Sequence, residues 1–355
     1  MKIGIYTPYL DTLTGGEKYI LSMAACLAKE HEVSLFWDPK DEESLKYNAQ
    51  KKLGIDISNI SFVSNIFSSS VSVVSRLLRS KRYDKIIFLS DGSIPVVSCG
   101  LILHFQFPVE WVDGRLIKTQ LKLKRVEKIL CNSEFTKELI DKKFTVSSDV
   151  LYPPVEIKEV EIEKENVILN VGRFGQHVEG VYFKKQDVLI QAFKKMIDGG
   201  FKNWKLVFVI SVAERDNERF ELLRKLGSDY PIEFIVNPSN EKLWEAYGRA
   251  KIYWHASGFG EDIEKHPEKA EHFGISTVEA MGAGAVPIVI HAGGQMEIVE
   301  NRKSGFLWNS IEELIGYTQI ISEEKDVWEV MSKSAQARAL VFSSDKFYSK
   351  LRSLI

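Results

Sequence analysis

Cysteine is scarce in this chain: Cys26, Cys99 and Cys131 are three thiols among 355 residues, widely scattered. They offer neither a metal-type spacing nor an even set for a disulfide framework, and a reducing cytoplasm is the expected compartment. Long hydrophobic runs are missing too. Nothing approaches the roughly 18 to 20 apolar residues of a membrane span, and the opening "MKIGIYTPYL" lacks the apolar region of a signal peptide. Net charge is nearly absent, with 47 Lys and Arg against 49 Asp and Glu for a formal −2. No whole-chain field therefore points to a nucleic-acid partner. No Asp-x-Asp pair closes a strand, so a metal held between phosphates is not expected. These absences leave a protein that is soluble or sits on a membrane surface.

What is present suits two globular cores. Hydrophobic residues make up 45% and charged residues 27%, and the length fits two domains of about 150 to 200 residues. The N-terminal half alternates "KIGIYT", "EVSLFW", "KIIFLS", "GLILHF" and "KILC" with helical segments such as "GGEKYILSMAACLAKE" and "SEFTKELIDKKF". Near 153–165 the texture changes to "PPVEIKEVEIEKE", a linker by its prolines and charges. A second series follows: "NVILNVG", "KLVFVI", "IEFIV", "KIYWHA" and "AVPIVI" as strands, with helices between them and two more at the end. Buried strands alternating with helices predict parallel sheets covered on both faces. The expected fold class is therefore α/β, two doubly wound parallel-sheet domains over 1–155 and 156–335. Residues 336–355 are expected as a helix packing back on the first domain, and ligands at the carboxyl ends of the strands.

One stretch carries most of the chemistry: "EHFGISTVEAMGAGAVPIVIHAGG", residues 271–294. Glu271 and Glu279 stand eight apart, about 80° from each other on a continuous helix, so a helix start between them reads better. Ser276-x-x-Glu279 has the form of a capping box, with Ser276 as N-cap and Glu279 at the third helical position. Glu271 then lies in the preceding loop, where Gly274 lets the backbone approach a ligand. The N–H groups around Ile275 to Val278 form an anion site. Read alone, either glutamate is as well explained as a cap partner or a solvated loop charge.

The ordered series around it is more specific. "EHFGISTVE", then "AMGAGAVPIV" and "GGQMEIVENRKSGFLW", together with "GG" at 15–16, "CNSEFTKELI", "LYPPV" and "VGRF…KKQDVLIQAF", resembles the retaining glycosyltransferases of family 4. These have the GT-B fold, two Rossmann-like domains facing across a cleft. "EHFGISTVE", "TGGEKYI" and "HFQFP" are most similar to the branch holding the mannosyltransferases of asparagine-linked glycan assembly. The resemblance implies a sugar nucleotide, GDP- or UDP-linked, as co-substrate with no separate cofactor, and a glycan, lipid-linked or other hydroxyl acceptor. It implies that Glu279 binds the ribose hydroxyls, that Glu271 lies beside the donor sugar, and that the backbone of Phe273, Gly274, Ile275 and Ser276 touches sugar and phosphate.

Arg173, ending "VGRF", and Lys184, opening "KKQDVLI", would then face a diphosphate whose charge grows as the glycosidic bond breaks. Lys185 competes with Lys184 for that role. The intervening "GQHVEGVYF" makes this loop longer than usual in the family. Gly15 and Gly16 open a helix after the first strand, either as a tight turn or as a close approach to diphosphate and acceptor. His104 ends the buried strand "GLILHF". It reads as a core histidine or, by resemblance, as a partner of a donor hydroxyl. His255 has a weaker claim, and the acidic segment from Glu261 to Glu268 reads as a rim or lid. From 70 to 130 there are 11 Lys or Arg against 5 Asp or Glu, either solvated helix faces or a basic patch for a peripheral contact with an anionic membrane surface. Rival readings are a sugar-nucleotide epimerase of the same fold, a non-catalytic nucleotide- or glycan-binding homologue, and a nicotinamide dehydrogenase, for which "TGGEKY" is a poor fingerprint.

Overall fold

The computed structural model describes residues 1–10, 13, 15–38, 42–158, 160–175 and 184–355. Most of the long loop before Lys184, residues 176–183, lies outside the described residues. The chain forms two compact units, Met1–Pro154 with Phe347–Ile355, and Val155–Lys346.

The N-terminal unit is built on a seven-stranded parallel sheet. Its strands are β1 (Lys2–Tyr6), β2 (Glu32–Phe36), β3 (Ser61–Val63), β4 (Lys85–Leu89), β5 (Gly100–Phe105), β6 (Val126–Cys131) and β7 (Asp149–Val150), in the order β3-β2-β1-β4-β5-β6-β7. Tyr19, Ile20, Met23 and Ala24 of the helix Gly15–Leu27 are buried against one side. The same apolar cluster takes Phe347, Leu351 and Leu354, one stripe of the helix Ser344–Leu354. The sequence-based boundary at 336 is corrected here: it falls within the continuous helix Lys325–Ala339, and the chain joins the N-terminal unit only from Phe347.

The C-terminal unit repeats the plan. Its strands are β8 (Glu165–Arg173), β9 (Lys205–Ser211), β10 (Ile232–Val236), β11 (Ala250–His255), β12 (Val286–Ile290) and β13 (Phe306–Trp308), in the order β10-β9-β8-β11-β12-β13. Numbered from its own first strand this is 3-2-1-4-5-6, the doubly wound Rossmann order. Strand order reverses between β8 and β11, which pair directly. Connections leaving the two strands go to opposite faces of the sheet, and the crevice at their carboxyl ends is the expected ligand position.

Lys164, just before β8, fastens this unit from the other end. Its ammonium donates to the carbonyls of Tyr247 (3.2 Å), Ala250 (2.8 Å) and Ala283 (2.7 Å). These oxygens lie at the C-terminal ends of the helices Asn240–Arg249 and Ile275–Gly282, where a cation complements the helix dipoles. Burial pulls the Lys164 pKa down to about 7. Lys164→Met keeps the apolar stem and leaves the carbonyls without their donor. It is expected to destabilise the C-terminal unit by roughly 1 to 3 kcal/mol, read as a lower midpoint in chemical denaturation.

Candidate active site

The helix Ile275–Gly282 begins where the crevice of the C-terminal unit is expected. Its N-cap is Gly274, at φ 121° and ψ 58°, a conformation that L side chains rarely adopt. A Cβ at Gly274 would also stand 2.4 Å from Nε2 of Gln295. Just after β12, Gly293 and Gly294 allow a second close approach. The N–H of Gly294 donates to the carbonyl of Glu271 at 2.7 Å, and a Cβ at Gly294 would meet the Phe273 carbonyl at 2.6 Å. This contact pins the loop that carries Glu271.

The expected capping box does not form. Ser276 is the second helical residue, and no side chain caps this helix. The Ser276 hydroxyl lies 2.8 Å from the hydroxyl of Tyr253 on β11. The Glu279 carboxylate accepts from the Tyr247 hydroxyl at 2.9 Å. Both polar groups are engaged by tyrosines from other elements, and glycine sets the helix start instead. Burial holds the Tyr247 pKa well above 10, so its phenol stays a donor to Glu279. The ring of Phe273 packs against Phe342, and only its backbone belongs to the loop surface.

Glu271 is the centre of the cluster. One carboxylate oxygen pairs with the ammonium of Lys184 and lies 3.0 Å from Nε2 of His255. The side chains of Lys184 and Glu271 are 18% and 19% exposed, low enough for the pair to escape most solvent screening. Burial alone would raise the Glu271 pKa. The Lys184 charge and the hydrogen bond from His255 outweigh it and hold the carboxyl well below the ordinary 4.5. Burial lowers the pKa of His255. A neutral ring donating to Glu271 carries its proton on Nε2, and Nδ1 has no partner.

The two lysines turn to different carboxylates. Lys184 lies over Gly172, whose Cβ would stand 3.7 Å from the lysine stem, and its head reaches Glu271. Lys185 turns to Glu261 at 2.5 Å. Glu261 also holds Lys269 at 2.8 Å, so part of the acidic segment is neutralised by lysines from two sides. Arg173 ends β8, exposed, next to Gly172. Its carbonyl accepts from the Gln186 side chain at 3.3 Å.

His255, given the weaker claim from sequence, meets Glu271, and Tyr247, Tyr253 and Gln295 were not among the sequence candidates. Gln295 is fully buried with neither amide atom partnered, against the N-cap of the site helix. Among the described residues, no group of three or more His, Cys, Asp or Glu side chains gathers that could hold a metal.

The remaining candidates belong to the N-terminal unit. Gly15 and Gly16 start the helix after β1. A Cβ at Gly16 would stand 2.9 Å from Oε1 of Gln106, whose amide donates to the Gly16 carbonyl at 3.4 Å. His104 is wholly buried on β5, edge-on to the ring of Tyr19 at 4.7 Å. Burial pushes its pKa down to about 3, so the imidazole is neutral at physiological pH.

The depressed pKa of Glu271 fixes a pH signature. Stability from the Lys184–Glu271 pair is fully present above the unfolded carboxyl value near 4.5 and is lost as pH falls through the lower folded value. Lys184→Met is therefore expected to cost roughly 1.5 to 3 kcal/mol at pH 7. The gap to the unaltered protein should narrow below about pH 4, as measured by denaturant unfolding across pH. A gap independent of pH would mean that the pair is not formed.

The family model for glycosyl transferases group 1 matches residues 154–338, just over half of the chain. Among curated proteins, the chain is 26% identical over 226 residues to the GDP-Man:Man(3)GlcNAc(2)-PP-Dol alpha-1,2-mannosyltransferase of Dictyostelium discoideum, covering 59% of this chain and 42% of that protein. The protein of the same name from Homo sapiens is 28% identical over 246 residues, at 62% and 46% coverage. A trehalose synthase of Thermococcus litoralis is 28% identical over 220 residues, at 60% and 48%. The chain thus spans less than half the length of each of these relatives. Among solved structures, Anabaena HepE in complex with UDP and glucose superposes with a TM-score of 0.72 at 17% identity, covering 100% of this chain and 99% of that one. Sucrose-phosphate synthase from Thermosynechococcus elongatus gives 0.71 at 14%, covering 99% and 98%. At such identities the likeness is one of fold, and that fold is GT-B. With the family model matched over the whole C-terminal unit but its last few residues, the chain belongs to the glycosyl transferases group 1 family.

Proposed function

We propose that the protein is a retaining, metal-independent glycosyltransferase that moves a hexose from a nucleoside-diphosphate sugar to a glycan, lipid-linked or other hydroxyl acceptor. The C-terminal unit takes the donor and the N-terminal unit the acceptor. The supporting observation is the cluster of Lys184, Glu271 and His255 beside a glycine-capped helix N-terminus. It joins a cation and backbone N–H donors for a diphosphate to a carboxylate kept ionised for sugar hydroxyls. The likeness to GDP-mannose-dependent relatives favours mannose from GDP-mannose over UDP-linked sugars. We place the protein in the cytoplasm, in peripheral contact with the inner face of the membrane.

In this reading the bond from the anomeric carbon to the β-phosphate oxygen breaks, the acceptor oxygen attaches on the same face, and the acceptor hydroxyl proton passes to the leaving phosphate oxygen. The leaving diphosphate gains charge, which Lys184, Arg173 and the helix N-terminus stabilise. Lys184 has three N–H donors, so it can keep Glu271 while donating to phosphate. Glu271 accepts from donor hydroxyls, and His255 holds it in place. Glu279, oriented by Tyr247, accepts from the ribose hydroxyls. These fixed charges do the electrostatic work for which other enzymes use a metal, and no cofactor takes part.

Two substitutions separate the roles. Glu279→Gln should weaken GDP or UDP binding by about 10- to 150-fold, the worth of one charge-assisted hydrogen bond. Glu271→Gln should leave the affinity for the bare nucleotide within a few-fold and depress turnover. Calorimetry and sugar-nucleotide turnover on the same proteins decide, and unchanged affinity and rate in both variants would remove the reading. Turnover should also persist in excess chelator; activity abolished there and restored by magnesium or manganese would contradict metal independence.

A further inference from the structure

Two helices of the N-terminal unit are built inside out. In Val73–Ser80 the arginine turns toward the protein: Arg76 Nε donates to the Ile66 carbonyl at 3.1 Å and its guanidinium lies over the ring of Phe67. Val73, Val74 and Leu78 face solvent instead, with Val74 67% exposed. In Ile117–Leu123 it is the glutamine that turns inward. Gln120 donates to the carbonyls of Gly114 (2.8 Å) and Phe144 (2.7 Å). Leu116, Ile117 and Leu121 face outward, and Ile117 is 80% exposed. A helix on the surface of a soluble domain normally buries its apolar stripe. Here Arg76 and Gln120 take inward positions and satisfy backbone carbonyls, Leu123 alone of these leucines is buried, and the other apolar residues named are left outside.

The two helices share one side of the sheet. Each lies in a crossover, β3 to β4 and β5 to β6, that moves across the sheet in the same direction, so the right-handed rule puts both on the same face. Ile66 and Leu123, beside and within the two helices, accordingly belong to one apolar cluster. The loop between β4 and β5 ties them together. The Ser98 N–H donates to the Ser80 hydroxyl at 2.9 Å, and the indole of Trp111, itself 64% exposed, donates to the Asp91 carbonyl at 2.9 Å. Helices antiparallel to the strands start at the carboxyl edge of the sheet. Val73, Val74, Leu116 and Ile117 therefore lie toward that edge, where Gly15 and Gly16 also lie.

The charge beside these apolar residues is mostly positive, with 11 Lys or Arg against 5 Asp or Glu from 70 to 130. Arg79 and Arg82 stand at the C-terminal end of the first helix, Arg115 and Lys118 at the start of the second, and all four are exposed. Two of the five acids are ion-paired, Glu110 with Lys143 and Glu127 with Lys85, and the excess of bases remains. We infer that this face docks on an anionic lipid bilayer. The outward residues of the two helices and Trp111 enter the interfacial layer, and the arginines and lysines meet lipid phosphates. The inference rests on the peripheral membrane contact proposed above. It adds the surface and the depth-setting residues, with the face of the N-terminal sheet that carries the two helices toward the lipid.

Cosedimentation of the full chain with vesicles tests it, comparing phosphatidylcholine alone with phosphatidylcholine containing phosphatidylglycerol. The protein should partition onto the anionic vesicles and much less onto the neutral ones. Val74→Asp combined with Ile117→Asp should lower that partitioning roughly tenfold or more. Arg115→Glu combined with Lys118→Glu should lower it and flatten its salt dependence. All are exposed positions, so melting temperature and nucleotide affinity should not move. Nucleotide affinity reports separately on the donor reading, so the two can fail independently. Protein that stays in the supernatant with both vesicle types overturns the inference. So does a lipid-independent dimer, seen by sedimentation velocity and dissolved by the same aspartates, because the face would then be an interface between copies.

Discussion

An ionised carboxylate held out of bulk water needs fixed partners, and Glu271 has two, the ammonium of Lys184 and the imidazole of His255. The three groups come from three places in the chain: the approach to the helix Gln186–Asp198, the end of β11, and the loop before the helix Ile275–Gly282. Satisfying one charge therefore fixes three segments at the carboxyl ends of the strands. Burial of His255 keeps it neutral, which makes it an orienting donor and leaves Lys184 as the counter-charge. The site thus holds a carboxylate kept ionised, with its counter-charge, without a ligand.

Fold and site reinforce each other through the two ends of one short helix. Its N-terminus is set by Gly274 at a backbone conformation closed to other residues, and it presents N–H groups toward the crevice. Its C-terminal carbonyls are gripped by Lys164, which also grips the end of the helix Asn240–Arg249. That second helix supplies Tyr247, the hydroxyl that orients Glu279. A lysine at one end of the unit thereby helps hold a carboxylate in position at the other.

Long buried strands were legible from sequence because the apolar runs of β1, β8, β9, β11 and β12 are covered on both faces. The edge strands Ser61–Val63, Asp149–Val150 and Phe306–Trp308 were not, since two or three residues carry no periodicity. Ser276-x-x-Glu279 shows the limit of local templates. The spacing fits a capping box, yet Tyr253 and Tyr247, distant in sequence, take the two side chains. His104 and His255 give the same local signal, a histidine closing a buried strand. Only the tertiary structure distinguishes them: His255 meets Glu271, while His104 is enclosed in the core edge-on to Tyr19. Nor does the sequence show that neighbouring Lys184 and Lys185 turn to different carboxylates, Glu271 and Glu261.

The central claim is that the C-terminal unit holds a nucleoside diphosphate at the start of the helix Ile275–Gly282. A crystal structure of the protein with GDP or UDP tests it most directly. The account predicts diphosphate oxygens within about 3 Å of Lys184 Nζ and of backbone N–H groups at Ile275 or Ser276, with the ribose hydroxyls on Glu279. A nucleotide bound elsewhere, with Lys184 touching only Glu271, would contradict it.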